Sequence, residues 1–265
     1  MKLKIIQTAD ETSRYKDLLD ITRHVNAQYC KRHGYTYDAF IGIKHGVHPW
    51  HACFNRIYMF LDEIEKQEYD WILYMDADCF VHNLDVSAVS IPAEAGDIGM
   101  LMCGGSGPEC KAMFEVNSGV IFLNVRSRYA KAVCTMWREL FESIFTPEVM
   151  RTSIVPFGLV GGPLNLIIAD QAMLSYVLRL FAIFGILDNK TVKTYVGADY
   201  TKFNYNGDFI KQLLRPDCGV NGTQIEERIN LAKTQVTEVL ARFKLVPLPL
   251  PIERRPAFAP VFIGM

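Results

Sequence analysis

Apolar and polar positions follow two periods along this chain, and the switches between them mark its elements. Leu3 to Gln7 reads as a first strand, with Thr8-Ala9-Asp10 as the loop at its carboxyl end. Ser13 is a fair N-cap for a helix whose apolar face is Leu18, Ile21, Val25 and Tyr29, and Gly34 stands where glycine ends helices. Tyr35 to Phe40 alternates and is rich in aromatics, so it reads as a second strand. A strand–helix–strand unit of this kind implies a parallel pair. Phe54, Ile57, Tyr58, Leu61 and Ile64 predict the next helix. Trp71-Ile72-Leu73-Tyr74-Met75 is an unbroken apolar run, the pattern of a strand buried on both faces.

The second half continues in the same manner. Ile98 to Met102 and Val120 to Val125 read as strands, the latter preceded by Asn117-Ser118-Gly119. Val133, Met136, Trp137, Leu140, Phe141 and Ile144 predict an amphipathic helix. Residues 146–169 are irregular, and a loop of that length within a domain often carries function. Asp170-Gln171 opens a core helix, Thr191 to Val196 reads as a late strand, and residues 203–208 as a turn. Thr223 and Glu226 form a capping box for a helix with Ile225, Ile229, Ala232, Val236, Val239 and Phe243 on one face. These elements predict one α/β domain over residues 1–245, a mostly parallel sheet flanked by helices. Residues 246–265, with Pro247, Pro249 and Pro251, form an extended proline-rich tail.

The buried run ends in chemistry. Asp76-Ala77-Asp78 follows Met75 directly, and residues two apart on an extended chain point to one side. Both carboxylates can then meet at a point beyond the strand's carboxyl end, where open α/β sheets bind ligands. Two hard oxygen donors suit Mg²⁺ or Mn²⁺, which can grip a diphosphate. The same pair also suits a solvated turn or a helix cap.

Composition narrows the classes. The chain has 265 residues, half of them hydrophobic, with 28 basic and 29 acidic side chains, so no electrostatic footprint for nucleic acid is present. Seven cysteines without a C-x-x-C pair read as buried free thiols, with Cys103 and Cys110 as a weaker candidate bridge. The chain opens as a strand without an apolar leader, and Arg179 interrupts its most apolar helix. Both features predict a chain without a membrane span, leaving peripheral membrane contact open, and with the free thiols they point to the cytoplasm, a secretory-pathway catalytic fragment being the alternative. His45, His48 and His51 have a tempting spacing for zinc, but Pro49 breaks a helix there. They read better as lining the loop beside a diphosphate, with Arg56 reaching in one turn further on.

Taken in order, these pieces resemble glycosyltransferase family 34, the galactosyl- and xylosyltransferases of the GT-A fold. The matching residues are Tyr29-Cys30 with His33-Gly34-Tyr35, Trp50, the strand into Asp76-Ala77-Asp78, Asn117 to Leu123, Trp137 and Asp170-Gln171-Ala172. The resemblance covers residues 15–85 and 115–180 well and the rest thinly. It implies a retaining, metal-dependent transferase that takes a nucleotide-sugar, foremost a UDP-sugar, and a glycan or glycolipid acceptor. It implies that Asp76 and Asp78 hold Mn²⁺ (or Mg²⁺) against the diphosphate, with Ala77 between them at the donor. Asn117, Ser118 and Gly119 would face the donor sugar, and Thr8, Ala9 and a stacking Tyr15 its base and ribose. Asp170 and Gln171 would stabilise an oxocarbenium-like state. The family completes its metal site with a late histidine three residues before a glycine. Here every histidine lies at or before His82, and counting back from Gly207 gives Asn204 as the expected third ligand. Two other readings stand beside this one. A haloacid-dehalogenase-type phosphatase also starts from a strand ending in D-x-D, though near the chain start and with a second acidic cluster. A sugar-binding relative without turnover is the third.

Overall fold

The computed structural model describes residues 1–105, 112–151, 169–187, 191–195, 202–205, 207–214, 224–247 and 253–254. Its centre is a seven-stranded sheet built from β1 (Leu3–Ala9), β2 (Thr36–Ile41), β3 (Trp71–Asp76), β5 (Met100–Gly104), β6 (Val116–Asn124), β7 (Val192–Tyr195) and β9 (Glu253–Arg254). The order is β7-β5-β6-β3-β1-β2-β9, and the pairings are parallel except where β6 runs against β3 and β5. A separate two-stranded sheet pairs β4 (Cys79–Val81) with β8 (Ile210–Gln212).

Helices cover both faces because the inner strands are apolar on both. Leu3, Ile5, Leu73 and Met75 pack with α1 (Tyr15–His33) and α7 (Gln224–Arg242). Ile6, Ile72 and Tyr74 pack with α2 (Asn55–Lys66), α4 (Arg128–Ile144) and α6 (Asp170–Ile183). Two short helical turns, α3 (Ser90–Ala95) and α5 (Pro147–Arg151), complete the described helices. None of them is long and apolar enough to cross a membrane.

Some local expectations hold and others change. The Ser13 hydroxyl accepts from the Tyr15 N–H at 3.3 Å where α1 begins, and Asp10 supports the same entry by accepting from the backbone N–H of Thr12 at 2.9 Å and of Ser13 at 2.5 Å. Gly34 does end α1, at φ 68° with its N–H on the Cys30 carbonyl. Pro49 does not break helical structure but opens a 3₁₀ turn over Pro49–Phe54, since proline's missing N–H is free of obligation at the first position. Asn117-Ser118-Gly119 is no turn before a strand. It lies inside β6, because pairing with β5 resumes beyond a bulge, with Cys103 opposite Asn117. Residues 210–212, which the sequence left unassigned after the turn, form a strand. Thr223 and Cys110 lie outside the described residues; Glu226 is engaged by Arg14, and Cys103 is a buried free thiol.

Candidate functional site

The site grows from the end of β3. Along that strand Ile72 and Tyr74 face the α2 layer, so period two puts Asp76 on the same face, beneath Arg56 of α2. The strand stops at Asp76, and Ala77-Asp78 form a turn into β4. The two carboxylates are therefore not aligned along an extended chain, as the spacing suggests; the turn divides them between opposite layers. Arg56 donates to Asp76 Oδ1 at 2.7 Å, joined by the Tyr74 hydroxyl at 2.9 Å. Asp78 Oδ2 is held by Arg228 from α7, the other layer. The Gln212 amide on β8 bridges the pair, 3.4 Å from Asp76 Oδ2 and 3.5 Å from Asp78 Oδ1.

Buried polar side chains hold the turn's backbone. Gln7 Nε2 donates to the carbonyls of Asp76 and Cys79, and Thr22 Oγ1 donates to that of Ala77. Asn26 donates to Gln7 Oε1 and the Cys79 carbonyl, and accepts from the Val81 N–H. These bonds are needed because the turn lies under α1, where unpaired backbone groups would be costly.

Above the turn opens a cavity of about 610 Å³ at the carboxyl ends of β1 and β3. Thr8, Ala9, Tyr15, Arg56, Asp76, Ala77, Asp78 and Asp170 all line it. Asn55 holds the Thr8 hydroxyl at 2.8 Å. Arg56 also lies 3.1 Å from Asp170 Oδ2, so one guanidinium joins the motif carboxylate to the first residue of α6. Its central carbon lies 4.4 Å from the Tyr74 ring centroid. Burial, with Asp78 and Asp170 nearby, raises the Asp76 carboxyl to about 6 even though Arg56 pulls it down. Burial likewise raises Asp78, against the opposing pull of Arg228.

Four expected residues stand behind the wall, among those that do not line the cavity. Ser118 donates its N–H to Gln171 Oε1 at 3.2 Å and its hydroxyl to Asp170 at 3.3 Å, and its carbonyl accepts from Arg56. Asn117 Oδ1 accepts from the Gly119 N–H at 2.7 Å. A Cβ on Gly119 would stand 2.4 Å from Gln212 Nε2, so the glycine makes room for that amide. Asn204 is buried in a left-handed turn at φ 72°, its Oδ1 accepting from the Tyr205 N–H at 2.9 Å. It is not among the residues lining the cavity, and its oxygen is engaged in holding the turn. The histidines lie off the cavity too. His51 Nδ1 accepts from the N–H groups of Val47 and His48, and its ring packs on Trp50 and Phe145.

Sequence reasoning missed Gln212, Arg228, Tyr74 and Cys53, all of which line the cavity. Arg228 had a signal: it falls between Ile225 and Ile229, on the apolar face of α7, where an arginine needs a buried partner. Gln212 had none, because only the β4–β8 pairing brings it to the motif.

No protein-family model matches the chain, and neither does any curated protein sequence. Solved structures do. A glycosyltransferase involved in the glycosylation of the major capsid of PBCV-1 superposes with a TM-score of 0.57 at 14% identity, over 88% of this chain and 100% of its own. The fold is GT-A. The galactosyltransferase LgtC, solved with donor and acceptor sugar analogs, gives a TM-score of 0.46 at 13% identity, over 93% of this chain and 97% of its own. GlyE of Streptococcus pneumoniae TIGR4 gives 0.44 at 11%, over 94% and 66%. The fold assignment rests on the first of these.

Proposed function

We propose that this chain is a glycosyltransferase of the family 34 type, which moves a hexosyl or pentosyl unit from a nucleotide-sugar, foremost a UDP-sugar, to a hydroxyl of a glycan or glycolipid. The observation that carries the reading is the meeting of Asp76, Asp78 and Gln212 at the floor of one cavity. Gln212 Oε1 is buried and has no hydrogen-bond partner among the described residues, while its Nε2 touches both carboxylates. An amide turned about its last bond would offer that oxygen to the same point. Two carboxylates and a neutral amide oxygen form a donor set that Mn²⁺ or Mg²⁺ accepts. Asn204, whose oxygen is already engaged, gives way to Gln212 in this set. A bound dication would supply neutralisation of the charge that gathers on the departing diphosphate.

The chain's own residues do the rest. Thr8, Ala9 and Tyr15 border the base and ribose at the end of β1. Arg56 fixes the spacing between Asp76 and Asp170, and Asp170 meets the positive charge that develops on the sugar as its bond to the diphosphate opens. Gln171 and Ser118 orient Asp170 from behind, and Asn117 and Gly119 shape the wall that supports them. The acceptor hydroxyl enters on the face from which the diphosphate departs and gives its proton to the departing phosphate oxygen as its own oxygen bonds to the sugar, so the donor's α configuration is kept. Against a phosphatase of the haloacid-dehalogenase type stands the hold of Arg56 and Tyr74 on Asp76 Oδ1, the position of the nucleophile in such enzymes.

The test is thermal unfolding with UDP and GDP, each with and without Mn²⁺. One nucleotide at ~100 times its dissociation constant should add about 2.7 kcal/mol, and the metal-dependent part should vanish in Asp76→Asn and Asp78→Asn while both variants stay folded. Full metal-dependent stabilisation in both variants would end the metal assignment. An inverted β linkage in the product, read by NMR, would end the stereochemical one.

A further inference from the structure

Helix α7 brings to the cavity a cation that the mechanism above leaves unused. The Arg228 side chain is 4% exposed, and each of its nitrogens is engaged. Nε donates to the Leu213 carbonyl at 2.8 Å, one terminal nitrogen to the Tyr15 hydroxyl at 3.1 Å, and the other to Asp78 Oδ2. The guanidinium centre lies 5.3 Å from the Tyr15 ring centroid. A guanidinium has five N–H donors, so these three bonds leave two, and Arg228 lines the cavity.

The pairing with Asp78 conflicts with the role proposed for that carboxylate. A dication on Asp78 and the guanidinium would compete for one anion, and two cations at contact distance in a buried site repel strongly. A diphosphate removes the conflict, because its oxygens can lie against both cations at once, and arginine suits phosphate oxygens in particular.

We propose that Arg228 is a binding residue for the donor's diphosphate, kept on Asp78 until dication and diphosphate arrive together. The inference rests on the nucleotide-sugar reading above and adds to it a sign. Arg228 opposes the dication alone and favours the dication with diphosphate, so it makes the two ligands bind synergistically. An arginine that merely ties α7 to α1 would weaken both kinds of binding together when removed. Tyr15, whose hydroxyl and ring hold the guanidinium, is then a positioning residue for the diphosphate as well as a neighbour of the base.

The experiment titrates Mn²⁺ alone, and then UDP or GDP with Mn²⁺, into the full chain and into Arg228→Gln, using calorimetry and the Mn²⁺ spin-resonance signal. Arg228→Gln should bind Mn²⁺ alone more tightly than the parent and the nucleotide with Mn²⁺ about tenfold to hundredfold more weakly. Unchanged nucleotide affinity, or weaker binding of Mn²⁺ alone, overturns the proposal. A second variant leaves the arginine in place. With EDTA present, Asp78→Asn should bind the nucleotide more tightly than the parent, because Arg228 has been released; equal or weaker binding overturns the proposal. That measurement decides alone if Arg228→Gln loses its cooperative unfolding transition. A parent chain that binds neither nucleotide with Mn²⁺ brings down the transferase reading and this inference with it. A parent that binds, with both variants behaving like it, brings down the inference alone.

Discussion

Gly119 and Gln212 show how much of this site depends on single atoms. A methyl group on Gly119 would lie 2.4 Å from Gln212 Nε2 and 2.8 Å from Oε1. What it meets is the far end of a flexible side chain, so the backbone need not move. Gly119→Ala should therefore leave thermal stability within about 1 kcal/mol of the parent. It should nevertheless lower Mn²⁺ affinity about tenfold, the scale of effect seen when a neighbour of a metal site is disturbed. A calorimetric titration beside a melting curve separates the two, and unchanged Mn²⁺ affinity would remove Gln212 from the ligand set. The glycine was visible in the sequence, but its reason was not. It sits at this point for Gln212, which is far away along the chain and arrives through β8.

At the scale of elements, α1 is more than a cover for the sheet. Thr22 and Asn26 stand one helical turn apart on the face that meets the Asp76–Cys79 turn. Asn26 is fully buried and makes three bonds, to Gln7 Oε1 at 2.8 Å, to the Cys79 carbonyl at 3.1 Å and from the Val81 N–H at 2.9 Å. Asn26→Leu should cost about 2–4 kcal/mol in urea denaturation, because it strands buried backbone groups as well as removing bonds. A loss under 1 kcal/mol would mean that the turn's backbone finds other partners. The apolar period of α1 predicted a helix and its packing face. It could not show that two polar positions on that face serve the motif, since period alone treats a buried asparagine as an interruption.

At the scale of the whole molecule, acid is the condition that should loosen the fold. Burial, with His48 and His45 close by, lowers His51 to about 4. Its Nδ1 already accepts from the N–H groups of Val47 and His48, so protonation there breaks both bonds. The folded state thus binds its proton later than the unfolded chain, whose histidine titrates near 6.5. Stability from this residue is complete above about pH 6.5 and falls progressively toward pH 4, as the unfolded state gains protons first. His51→Asn, which keeps an acceptor without a titrating ring, should flatten that decline in pH-dependent urea midpoints; an unchanged slope would place the acid sensitivity elsewhere. Taken as a whole, the sequence by itself determined the α/β class, the parallel β1–β2 pair, the buried β3 run and the placing of Asp76 at its end. Those follow from local periodicity and from where apolar runs stop, both properties of neighbouring residues. Only the tertiary structure decided that Asp76 and Asp78 face opposite helix layers, that Asn204 is held in its own turn, and that Gln212 and Arg228 complete the cluster. The reason is separation along the chain: Gln212 comes to Asp78 through a strand pairing and Arg228 through helix packing, and neither leaves a mark on the residues around the motif itself.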